Sequence, residues 1–260
     1  VRPLLRAPGM SALLVCAALL AVWEIAARLY GNPGLPTAFA ALCELPRIFA
    51  DPQAAFDILD SLRRMVIGFA LALVVAAPIG LLMGRSPVAE ALMNPLLMVV
   101  YPIPKAALMP LIMLWLGVGD ASKILVVFLG VSLPLLYHSY QGARAVEEKM
   151  LWSAAAMGMN GAQRMFRIVL PAALPEILTG CRTGIVMGLI TMITSEMISR
   201  QTGAGNILFN AMDMAQYETV YAMIIVIGAL GILLDVCFEA VRARLTKWAD
   251  KDADATVAAL

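Results

Sequence analysis

Residues 148–176 read EKMLWSAAAMGMNGAQRMFRIVLPAALPE and form a polar break between two long apolar runs. Arg144, Lys149, Arg164 and Arg167 lie in or beside it, which places it in the cytoplasm by the positive-inside bias. Small residues cluster in it (Ser153, Ala154, Ala155, Ala156, Gly158), and Ile168, Leu170 and Pro171 follow. The chemistry this suits is docking. A short amphipathic helix within 149–165 fits a cleft in a soluble partner. Gly158 and Gly161 permit close approach or a break, and Pro171 is expected to end the lever before the next apolar run. The plain alternative is an ordinary loop.

A second set of chemical groups lies inside the apolar runs. LMNPLLMVVYPIPKAALMPLIMLWLG holds Pro95, Pro102, Pro104, Lys105 and Pro110. Prolines in a membrane helix free backbone carbonyls that need other partners. A lysine at that depth costs roughly 2.5–3.5 kcal/mol on insertion scales. Lys105 therefore either lines a polar path, with Pro102 and Pro104, or snorkels to an interface. Glu196 sits in TMITSEMIS with Thr191, Thr194 and Ser195. It reads equally as a pore or gate residue, or as an interfacial acid that hydrates or pairs with Arg200 at i,i+4. Arg182, Asp235 and Glu239 fall at similar depth near the inner ends of two runs. Structural pairing between helices is expected of them, since an unpaired charge there is costly.

Other chemistry is missing. His138 is the single histidine, and Cys16, Cys43, Cys181 and Cys237 have no metal-ligand or redox spacing. There is no GxSxG, HExxH or P-loop. No metal or cofactor is expected on this chain. Uphill transport would draw its energy from another subunit or from an ion gradient.

The elements that must position these groups are helices in lipid. The chain has 260 residues, 62% hydrophobic and 14% charged, with mean hydropathy +0.85. A soluble domain has about 25% charged residues. Spanning runs fall at about 10–29, 62–84, 92–116, 122–141, 177–198 and 220–241, giving an all-α polytopic membrane protein of six transmembrane helices in one domain. Arg2 and Arg6 precede the first run, which reads as a retained helix rather than a cleaved signal. With both termini inside, eleven Lys or Arg fall inside and six outside, in the favoured direction. Arg63 and Arg64 fit least well, and Asp57 and Asp60 are expected to neutralise them locally. Pro46 and Pro52 are expected to divide 30–61 into short interfacial helices. Segment 199–219 opens with a flexible SRQTGAGN, and the tail 250–260 is expected to fray. The net charge of +1 offers no basic face for nucleic acid.

Gly158 followed ten positions on by Ile168-x-Leu170-Pro171 resembles the second half of the EAA loop of permeases in binding-protein-dependent ABC importers. RRMVIGFALALVVAAPIGLLMG, YPIPKAALMPLIMLWLGVGDASKI and GCRTGIVMGL resemble the branch serving nitrate, sulfonates, taurine and bicarbonate, and the likeness extends over most of the chain. One departure is plain. The acid that names the loop should fall at position 152, where this chain has Trp152, followed by Ser153 and Ala154.

The resemblance implies a type I importer permease with a cytoplasmic coupling helix at about 148–171, in a bacterial cytoplasmic (inner) membrane, touching lipid. It implies a second copy of the permease, two copies of an ATP-binding cassette subunit that bind ATP and Mg, and a periplasmic or lipid-anchored substrate-binding protein. The permease itself would be no enzyme. Its cargo would be a small organic or inorganic anion; a neutral or aromatic vitamin precursor is the alternative within this family. Outside it, an ion-coupled secondary transporter would show broken helices in both halves, and here only the third run carries the break.

Overall fold

The computed structural model describes residues 8–247. Arg2, Arg6, Lys251 and the tail lie outside them. The described residues are helical and contain no strand. In order they form α1 Pro8–Tyr30, α2 Ala38–Ala50, α3 Pro52–Arg85, α4 Pro87–Val100, α5 Met109–Leu116, α6 Asp120–Arg144, α7 Glu148–Ala156, α8 Gly161–Arg164, α9 Leu170–Ser199, α10 Ala204–Asp213 and α11 Tyr217–Leu245. Among the described residues four stretches are long and apolar enough to cross a membrane: α3, α6, Gly161–Ser199 and α11. The third run is a bent pair, α4 with Lys105–Leu116, broken by 82°. Pro102 and Pro104 sit in that break, where helical bonding cannot continue.

The core is built from α3, α6 and α9. Small residues recur every fourth position along α3: Gly68, Ala72, Ala76, Gly80 and Gly84. This stripe lets two helices approach closely where lipid supplies no hydrophobic drive. At Gly80 a Cβ would collide with the Leu136 carbonyl oxygen and sit 2.7 Å from Ser139 Cβ. A second apolar cluster joins α2, α3, α10 and α11 through Ile48, Ala54, Leu208, Val220 and Met223.

Several boundaries differ from the sequence reading. The second span begins at Pro52, ten residues early, because proline is tolerated in the first helical turn and the Asp51 carboxylate accepts from Gln53 N at 3.0 Å. Pro46 lies inside α2 and does not break it. Segment 199–219 holds the helix α10, Ala204–Asp213, while 200–203 is non-helical. Pro171 ends nothing. It stands in the first turn of α9, and the chain is helical from Gly161 to Ser199. A π turn at Met165–Val169 leads into it, with Leu170 N bonded to Met165 O. The proline's missing N–H is accommodated there without a stop.

Candidate functional site

At one end of the bundle lies the segment 148–171. Leu151 and Ala154 on α7 are buried, with Leu151 packed into the main core beside Val146, Val169 and Ala173. Trp152 and Ser153 face outward, and Trp152 is 66% exposed. Met150, Met157 and Phe166 are also exposed, so this end presents an apolar surface with Trp152 in it. Ile168 and Leu170 are half-buried against the core, and Pro171 is exposed.

Gly158 terminates α7 with φ +83°. Gly158 N donates to Ala155 O at 2.9 Å and Met159 N to Ala154 O at 3.0 Å, the paired bonds of a Schellman turn. A Cβ at Gly158 would meet nothing within 4 Å. Within this chain the glycine serves its left-handed backbone, the break that is one of the two roles expected of it. Arg85, closing α3, fixes the start of α7. It donates to Glu148 Oε1 at 2.5 Å and to the carbonyls of Ala143 and Val146 at 3.4 Å.

Lys105 is buried in the break of the third run. Its ammonium donates to the Ile103 carbonyl at 2.6 Å and to the Val100 carbonyl. It thus satisfies groups that the bend releases. Pro102 and Pro104 beside it are exposed.

About midway between Leu170 and Glu196 on α9, Arg182 bridges to α11, with Nε 2.7 Å from Asp235 Oδ1 and Nη1 3.9 Å from Glu239 Oε2.

At the opposite end of the bundle is a charge cluster that sequence reasoning did not assemble. Glu196 has no exposed surface and Arg64 only 2%. Arg64 donates to Glu196 Oε1 at 2.9 Å, to Asp120 Oδ1 at 2.7 Å and to Thr202 Oγ1 at 2.8 Å. Lys123, equally buried, donates to Thr202 O at 2.9 Å. Ser61 Oγ lies 2.7 Å from Glu196 Oε2. Asp60 bonds both Arg63 and Arg64 at 3.3 Å, so local neutralisation contributes, but most partners are distant in sequence. Arg200 does not pair with Glu196. It bonds Asp213 and stacks on Phe209, 4.4 Å from the ring centre. Thr191 and Ser195 turn their hydroxyls to their own helix, onto Met187 O at 2.8 Å and Met192 O at 2.7 Å. Thr191, Ser195 and Glu196 therefore face the interior of the subunit. The available signal was opposite charge at equal depth on separate runs, which must pair.

Comparison with known proteins agrees with this architecture. The chain is 31% identical to the taurine transport system permease protein TauC of Escherichia coli over 78% of this chain and 74% of that one. It is 28% identical to the nitrate import permease protein NrtB of Synechocystis sp., over 84% and 82%. A chain of the inward-facing MetNI methionine ABC transporter superposes with TM-score 0.65 at 15% identity, covering 74% of this chain and 95% of that one, which is a likeness of fold. The family model for binding-protein-dependent transport system inner membrane components matches residues 76–247, and the chain belongs to that family: it is an integral-membrane ABC transport permease and not itself an enzyme.

Proposed function

We propose that this subunit forms, with a second copy, the path of an importer for a small oxyanion, driven by a separate ATP-binding subunit. The observation that carries the cargo class is the similarity to permeases named for taurine and for nitrate, which share a compact, delocalised oxyanion group. A binding protein delivers the solute to the end of the bundle that carries Glu196, which faces outward. The end carrying 148–171, and both termini, face the cytoplasm.

The ATPase docks on the coupling segment. Trp152 and Ser153 meet it, Gly158 and Pro171 shape the segment, and Ala154, Ile168 and Leu170 seat it on the bundle. The exposed indole of Trp152, where relatives would carry an acid, supports an apolar rather than ionic contact. Large aromatic anchors dominate such interfaces. Lys105, Pro102 and Pro104 border the path. The positive ammonium at the break of the third run suits an anion.

Purification from native membranes, followed by reconstitution, tests this reading. An ATP-binding subunit is expected to co-purify, and labelled taurine or nitrate to enter proteoliposomes only with ATP and a binding protein. Uptake driven by an ion gradient without ATP would overturn it. Trp152→Ala is expected to weaken ATPase association by at least about 2 kcal/mol, the size of an interface hot spot. Unchanged association would exclude Trp152 from the contact.

A further inference from the structure

The buried cluster at the outward end does more than neutralise charge. Its members come from three bundle helices: Ser61 and Arg64 from α3, Asp120 and Lys123 from α6, and Glu196 from α9. What they grip is the chain beyond α9. Thr202 accepts from both Arg64 and Lys123. Ala204 N donates to Ser61 Oγ at 2.9 Å, and Gly205 N donates to Glu196 Oε2 at 3.1 Å. The carboxylate of Glu196 therefore sits at the amino end of α10, where free N–H groups and the helix dipole favour an anion. The fit is close. Gly203 has φ +115°, and a Cβ there would overlap the Glu196 carboxylate.

α10 in turn packs Ala204, Leu208 and Ala211 into the cluster with Ile48 of α2 and Val220 and Met223 of α11. It is thus the piece that joins the charge cluster to the outer helices. A buried ion pair is seldom more stabilising than apolar residues of the same volume, but here Arg64 is held at once by Asp120, Glu196 and Thr202. Glu196 lies 26 residues beyond Leu170 on one unbroken helix, about 39 Å at 1.5 Å per residue.

We infer that Glu196 is a positioning residue: through Arg64, Ser61 and the Gly205 amide it fastens loop 200–203 and α10 to the α3–α6–α9 bundle, so that this outer cap follows the bundle as one body when the coupling segment is driven. This rests on the coupling role proposed above. α9 is the rod between the two ends, and Glu196 is the joint at its outer one.

The test measures distances in the complex reconstituted with its ATPase. Cys16, Cys43, Cys181 and Cys237 are replaced, and spin labels are placed at the exposed Gln53 of α3 and Asn210 of α10. Between nucleotide-free and nucleotide-trapped states the label distance is expected to shift by less than about 2 Å, while a one-turn slip would give about 5 Å. Glu196→Gln should broaden that distribution and lower transport about tenfold, within the usual range for lost coupling. A merely structural role would lower the melting point and leave the distribution narrow, which overturns the inference. A shift of about 5 Å in the unmutated complex also overturns it. If Glu196→Gln does not fold, Ser61→Ala, which removes only the hydroxyl, replaces it under the same criteria. Failure of the ATPase to associate at all would instead defeat the functional reading; the Gln53–Asn210 distribution is then compared in the permease alone, where an equally narrow one in Glu196→Gln overturns the inference.

Discussion

Arg182 and Asp235 meet as a two-point ion pair between α9 and α11, Nε to Oδ1 at 2.7 Å and Nη2 to Oδ2 at 2.8 Å. Paired donors and acceptors of this kind fix orientation as well as distance. Both side chains are partly exposed, so the pair matters less for total stability than for which faces of the two helices meet. Removing one partner leaves a lone charge against a membrane helix, which is the costly state. Arg182→Leu or Asp235→Leu alone should therefore lower the thermal midpoint more than the double change does. Melting in detergent with an apolar-core reporter measures this. A double variant less stable than both singles would show that the charges act independently.

Gly158 should respond to backbone preference and not to size. Its left-handed φ costs a non-glycine residue about 1–2 kcal/mol, while the space around it is open. Gly158→Asn should retain uptake, Gly158→Ala should lose some, and Gly158→Val should lose most, with ATP hydrolysis continuing uncoupled. Equal transport in the Asn and Val variants would mean that the turn at the end of α7 is dispensable.

Lys105→Met should lower stability. It strips the Val100 and Ile103 carbonyls of their donor, and where lipid excludes water each group left unpaired costs about 1–3 kcal/mol. Lys105→Arg, which restores donors, should recover the melting temperature. Uptake assayed in the two variants then separates the roles: if the ammonium also meets the anion, transport stays low in Lys105→Met after correction for the folded fraction. An unchanged melting point in Lys105→Met would show that the bend does not depend on this residue.

Gly80 and Gly228 form a matched pair of tests. A methyl at Gly80 enters the α3–α6 contact, and overpacking of this kind costs about 1–3 kcal/mol. Nothing within the subunit lies within 4 Å of a Cβ at Gly228, so Gly228→Ala should be neutral or stabilising by up to about 1 kcal/mol through helix propensity. Both are read as shifts in thermal midpoint. Equal effects would remove the small-residue stripe of α3 as the reason for the close approach.

Much of this architecture is written locally. Apolar runs of spanning length must be helices, because lipid offers their backbone groups no other partner. Four prolines around Lys105 announce the break between α4 and α5. The basic residues about 148–176, with Gly158 and the Ile168-x-Leu170-Pro171 spacing, mark out the segment proposed to couple to the ATPase. Each of these properties depends on residues within a turn or two of one another. The end of a helix is less legible: Pro52, Pro46 and Pro171 are all accommodated in helix, because neighbouring turns can absorb a missing N–H. Arg182 and Asp235 are legible as partners from their similar depth on two runs, but the partners of Glu196 are not. Arg200 lies four residues from Glu196, the right spacing for a helical pair, yet Arg64, 132 positions away, takes the carboxylate. A left-handed backbone at Arg200 ends α9 and sends that side chain toward Asp213. Spacing determines which side chains share one helix face. Only the packing of α3, α6 and α9 decides which face of another helix lies opposite, and a buried charge must take whatever partner that packing delivers.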